Sequence, residues 1–156
     1  MTIRKRPSGA GWRQLSLAVI MATALLTDAT AFAEPAFDPN KPVALPAWRL
    51  VYENVNPMIK MAPAWGDRAT GAHGTFGRFP PNFVTPAHTH TAAYHGIVLE
   101  GVMTNPFGDE ANPPKMGPGS YWYVPAEIVH RTAYISDTPC KFFFTSEAAF
   151  DFKPVK

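Results

Sequence analysis

Short apolar stretches separated by turn residues predict an all-β fold, a single-domain sandwich or barrel. Three observations carry this. The 156-residue chain holds 17 prolines and 11 glycines, most of them between the apolar stretches. β-branched and aromatic residues dominate those stretches. Beyond the N-terminal region, no long segment keeps a helical 3.6-residue apolar period.

The first 33 residues read as an export signal and are set apart from the fold. Arg4, Lys5, Arg6 and Arg13 form a basic region, Leu15 to Leu26 an apolar run, and Ala31-Phe32-Ala33 a small-x-small cleavage site. The run is short for a membrane span, and there is no adjacent arginine pair for twin-arginine export. Cleavage after Ala33 predicts a periplasmic or secreted protein with no membrane association of its own. The leader also accounts for the chain's formal charge of +2, so the remainder is close to neutral. Without a basic stripe interleaved with aromatics, nucleic acid is not an expected partner.

Residues 34–47 carry four prolines and no periodicity, and are expected to form an extended arm. The domain then runs from residue 48 to 156. Its strand candidates are Trp48 to Val55, Gly74 to Phe79, His95 to Thr104, Ser120 to Pro125, His130 to Ile135 and Cys140 to Glu147. Cys140 stands alone, which excludes an internal disulfide framework. It reads as a small buried core residue.

The chemistry concentrates in PAHTHTAAYHG, residues 86–96, which holds three of the five histidines. On a helix, His88 and His90 would diverge by about 200°. On a strand they share a face, roughly 6.6 Å apart along the chain. Pro86 and the β-branched Val84, Thr85, Thr89 and Thr91 favour the strand. A bend through Thr91-Ala-Ala-Tyr94 would return His95 to the same cavity, and His130 opens a later strand. Histidines at this spacing point to one divalent transition metal, with zinc, copper, iron, manganese and nickel all admitted. His73, in GAHGTFG, is assigned to a turn or strand without a ligand role.

These residues resemble the two sequence motifs of the cupins, whose fold is a jelly-roll β-barrel. The first motif reads Asn82, five residues, His88-Thr-His90, four residues, His95, five residues, Gly101. The second reads Gly119, five residues, Pro125-Ala-Glu127, two residues, His130, three residues, Tyr134. The stretch is most similar to small single-domain cupins akin to the anti-sigma-factor zinc cupin and the acetylacetone-cleaving dioxygenase. Three departures stand out. Asn82 replaces a turn glycine, and Glu127 replaces the glycine of Pro-x-Gly, which brings a carboxylate toward the fourth ligand. The usual glutamate ligand is missing. Counting from His90 and Gly101 puts Tyr94 in its place, whereas ligand chemistry favours His95, because a phenol must first lose a proton near pKa ~10.

The expected ligand set is therefore His88, His90, His95 and His130. Tyr94, Trp122 and Glu127 are cavity-wall or outer-shell candidates. Phe76, Phe79, Tyr123, Phe142 and Phe144 supply further aromatic surface, although strand aromatics also serve as ordinary core. The resemblance implies metal-dependent small-molecule chemistry, oxygenase- or isomerase-like, on an enol-forming or phenolic substrate. A non-catalytic, metal-stabilised ligand-binding or sensing module is the alternative. The resemblance also admits a homodimer through sheet edges.

Overall fold

In the computed structural model, residues 38–156 are described. The expected leader and its cleavage site lie outside the described residues. The chain from Asp38 is largely exposed and reaches a 3-10 turn at Ala47–Arg49. Ten strands follow: β1 Glu53–Asn54, β2 Lys60–Gly66, β3 His73–Phe79, β4 His88–Thr89, β5 Tyr94–Glu100, β6 Met103–Thr104, β7 Tyr121–Val124, β8 Ala133–Tyr134, β9 Cys140–Ser146 and β10 Lys153–Pro154. The fold is all-β, as expected.

One antiparallel sheet has the order β1-β2-β3-β9-β5-β7, and two short pairs, β10-β4 and β6-β8, complete the architecture. The sheet's inner face follows the period of two. Cys140, Phe142 and Phe144 of β9, Tyr94 and Val98 of β5, and Trp122 and Val124 of β7 are all buried. Met103 and Tyr134 of the β6-β8 pair close on them, with Tyr134 stacked on Phe79 at 4.6 Å between ring centroids. Gly96 makes room for this packing. A Cβ there would come within 2.1 Å of the Trp122 indole.

Three strand expectations are corrected. His130 to Ile135 forms only β8, with His130 itself in isolated bridges before it. Trp48 to Val55 yields only the two residues of β1, because its apolar side chains find no core: Trp48 is 82% exposed, and Val51 and Val55 are exposed too. Asn56 turns the chain instead, its Oδ1 accepting from the backbone N–H groups of Met58 and Ile59 at 2.8 Å each. The strand that does form, β2, has the sequence KMAPAWG. Pro63 conceals it from propensity, yet it is tolerated because β1 pairs only with Lys60 and Met61, leaving the rest of β2 as an open edge. The register shifts between Pro63 and Trp65. His95 to Thr104 divides at Gly101, where φ is +79. Cys140 is fully buried in β9, as the sequence implied. Among the described residues, no helix is long and apolar enough to cross a membrane.

Candidate metal centre

The turn positions of both motifs share one backbone signature. Asn82, Gly101, Gly119 and Glu127 all have positive φ, between 54 and 86. Glycine adopts that region freely, and asparagine better than most other residues. The backbone thus keeps the two-motif frame where the side chains depart from it.

Within that frame, His88 and His130 face each other across an antiparallel bridge, each backbone N–H donating to the other's carbonyl at 3.0 Å. His90 follows two residues after His88, on the same face. All three are buried, and their ligating nitrogens lie within 4.8 Å of one another. Each ring is held through Nδ1. His88 Nδ1 donates to the Pro86 carbonyl at 2.8 Å, His90 Nδ1 to the Asp151 carbonyl at 2.5 Å, and His130 Nδ1 to the Ile128 carbonyl at 3.0 Å. A carbonyl only accepts, so these contacts place the proton on Nδ1 and leave Nε2 as the free lone pair. Burial holds His88 and His90 down at about 4 and lowers His130 as well. At neutral pH the site therefore presents three uncharged, oriented imidazole donors, the form in which histidine binds a transition ion. This donor set fits such an ion.

The C-terminal segment supports these histidines in a way the sequence reading missed. Phe150 stacks on His90 at 4.1 Å and Phe152 on His88 at 4.2 Å. β10 pairs with β4, setting Pro154 opposite His88. The Asp151 carboxylate accepts from the backbone N–H and hydroxyl of Thr91, while its carbonyl orients His90. The alternating Phe150-Asp151-Phe152 was the available signal, a short strand pattern at the end of the chain.

His95 is corrected. Its neighbour Tyr94 opens β5 facing inward, so the strand's alternation sends His95 to the opposite, exposed face. There it stacks on Tyr123 at 4.6 Å and shares a hydrogen bond with the Tyr121 hydroxyl at 2.5 Å. Tyr123 and Phe76 lie on that outer face too; Phe76 meets Phe143 there at 4.9 Å. Glu127 also stays out of the site: its carboxylate is exposed and pairs with Lys153 at 2.9 Å. What Glu127 supplies is backbone, its N–H donating to the His90 carbonyl at 2.8 Å.

Tyr94 occupies the place that motif counting assigned to the missing glutamate. It is 5% exposed, and its hydroxyl donates to His130 Nε2 at 3.1 Å. Burial pushes the phenol up to about 12, against the opposing pull of Trp122, Asn105 and Thr132 around its oxygen. Trp122 Nε1 and Asn105 Nδ2 approach that oxygen without completing a well-formed hydrogen bond. A neutral phenol thus stands where a carboxylate would bring negative charge.

A cavity of about 400 Å³ opens beside these residues. Its wall includes His88, His90, Tyr94 and Trp122, with Phe79, Phe142 and Phe144 of the expected aromatic set. Mostly apolar walls with a few convergent polar groups are the usual make-up of a small-molecule site.

Known proteins carry the same architecture. The polyketide cyclase RemF from Streptomyces resistomycificus aligns with a TM-score of 0.63 at 20% identity, covering 74% of this chain and 87% of that one. An RmlC-like cupin from Shewanella frigidimarina aligns at 0.57 and 14% identity, covering 70% and 93%. KdgF from Halomonas sp. aligns at 0.53 and 16% identity, covering 65% and 91%. No curated protein matches the sequence. Residues 48–156 match the family described as a domain of unknown function, DUF4437. The chain belongs to the DUF4437 family, and its fold is that of the cupins.

Proposed function

We propose that this chain is an exported, metal-dependent cupin acting on a small enol-forming or phenolic substrate, in the manner of an oxygenase or isomerase. One observation supports it above the others: three buried neutral imidazoles, each tied back through Nδ1 with Nε2 unprotonated. His88, His90 and His130 would hold the metal, which when bound supplies Lewis acidity toward a carbonyl, enol or phenol oxygen.

The chain's own residues do the rest. The aromatic walls exclude water and strengthen every polar contact inside. Tyr94, protonated at neutral pH, keeps an O–H donor beside His130 and adds no negative charge to the site. The double charge of a divalent ion therefore stays uncompensated by protein, which favours anionic oxygen ligands. Phe150 and Phe152 keep the imidazoles in place. At 20% identity, the likeness to a polyketide cyclase carries the fold and not the reaction.

Export rests on the basic region, apolar run and small-x-small site of residues 1–33. Loading outside the cytoplasm favours copper and zinc. The test takes protein from its native compartment and measures its N-terminus, its metal content and its consumption of oxygen and of small 1,3-diketones and phenols. The expected result is a chain beginning at Glu34, one transition ion per chain, and turnover of an enolisable or phenolic compound. A loaded protein that binds such compounds without converting them is the non-catalytic module instead.

A further inference from the structure

Of the residues lining the inner cavity, Arg68 and Asp151 are the two that carry charge when the histidines are neutral. Asp151 is already committed. Its carboxylate accepts both hydrogen bonds from Thr91 and lies 3.9 Å from Lys153 Nζ. Arg68 is different. It is half-buried, and among the described residues its guanidinium makes no ion pair or hydrogen bond, its charge reaching Asp67 and His73 only at longer range. The adjacent carboxylate, Asp67, is turned to its own loop, accepting from the Ala69 N–H at 2.8 Å and the Thr70 hydroxyl at 3.1 Å.

The backbone fixes Arg68 beside the site. Its carbonyl accepts from the Phe150 N–H at 2.8 Å, and Phe150 stacks on His90. An unpaired guanidinium on the wall of an aromatic cavity is a carboxylate receptor by its chemistry: a planar fork of donors, always charged, able to bind both carboxylate oxygens at once. In this low-dielectric setting the attraction to an anion exceeds what it would be in water. Phe79, Phe83, Phe142, Phe144, Phe150 and Phe152 line the same space and suit a flat apolar body.

We infer that the cavity binds a flat, apolar, ring-bearing carboxylate whose carboxylate pairs with Arg68. The proposal deepens the metal-dependent reading and rests on it for one feature only: a second oxygen, enol or phenol, left free for the metal. The Arg68 contact itself does not need the ion.

The probes are 2-naphthoate and 2-naphthamide, matched in shape and different in charge. Their binding is measured calorimetrically on the purified protein, both stripped of metal and zinc-loaded. The stripped protein is expected to prefer the carboxylate by tenfold or more. Arg68→Gln should abolish that preference, and Arg68→Lys should retain part of it. Metal content and circular dichroism on each variant show that fold and site persist. Zinc should add a preference for the anion that survives in Arg68→Gln. Equal binding of the two probes by stripped wild type, an undiminished preference in Arg68→Gln, or no saturable binding of either probe would each overturn the inference. If the protein takes up no metal but the stripped arm behaves as expected, the metal reading fails and the Arg68 contact stands.

Discussion

Tyr94 and His95 are adjacent in the chain and lead opposite lives. Tyr94 faces inward with its hydroxyl on His130, while His95 lies exposed against Tyr121 and Tyr123. The two faces of the strands that carry them differ in the same way. Both are rich in apolar groups, and the outer one has a groove lined by Val43, Leu45, Trp65, Phe76, Ile97 and Phe143. Only the inner one gathers oriented imidazoles, a buried phenol and an unpaired guanidinium around one space. Residue chemistry made His95 the better ligand; strand parity gave the position to Tyr94. Along a β-strand, which face a side chain takes is settled before its affinity for a metal can matter.

The sharpest break of this comparison is removal of an inner-face ligand. His88→Ala or His130→Ala should reduce retained metal a hundredfold or more, read by elemental analysis after dialysis against a weak chelator. Each leaves two imidazoles, too few to compete. Full occupancy in either variant would remove the centre from the inner face.

Acid is the next largest effect. In the unfolded chain these imidazoles take up protons near 6.5; in the fold, burial holds His73, His88 and His90 at about 4. Between those values the unfolded state binds more protons, so acid favours unfolding. Metal-free protein should keep its full stability above about pH 6.5 and lose it progressively as pH falls toward 4. Urea midpoints measured from pH 7.5 to 4.5 check this, and a flat profile would contradict the buried neutral state. Loaded metal, competing with weakly basic folded imidazoles, should be retained well below pH 6.5.

How far the sequence could be read follows from the same geometry. The His88-Thr-His90 spacing needed only the two-residue period, and His130 the turn frame from Gly119, so the three clustered histidines were legible. The fold class was legible from strand-sized apolar runs. His95 was misassigned because imidazole is the better ligand, although counting from His90 and Gly101 gave Tyr94; on a strand a slip of one reverses every side chain. β2 was hidden by Pro63, which an open edge tolerates. The C-terminal support was hidden because the alternation Phe150-Asp151-Phe152 is too short to stand out, and part of its value lies in one carbonyl, that of Asp151. Glu127 was read for its side chain, whereas its backbone conformation was what the turn required.

Packing beneath the site gives a smaller effect. Gly96→Ala drives a methyl group into the Trp122 indole, and overpacking of this kind costs about 1–3 kcal/mol. Thermal or urea unfolding should show that loss. It should appear in metal-free and loaded protein alike, since Gly96 itself holds no ligand. A loss confined to the loaded form would mean that Trp122 moves with the metal.

The finest test returns to the two neighbours. Tyr94→Phe deletes only the hydroxyl that donates to His130 Nε2, leaving that buried nitrogen without its partner in the metal-free protein. The expected loss is about 1 kcal/mol of stability. In loaded protein Nε2 would be taken by the ion, so the loss should shrink, and turnover should fall where the freed Tyr94 O–H donates to the proposed substrate. His95→Ala removes an exposed ring from the outer face. It should change stability by no more than about 0.5 kcal/mol and leave metal content and turnover unaltered. The pair thus separates the faces by three readouts: metal-free stability, metal content and rate. If His95→Ala strips the metal while Tyr94→Phe changes none of the three, the register of β5 is off by one residue. The phenol would then belong to the surface and the imidazole to the site.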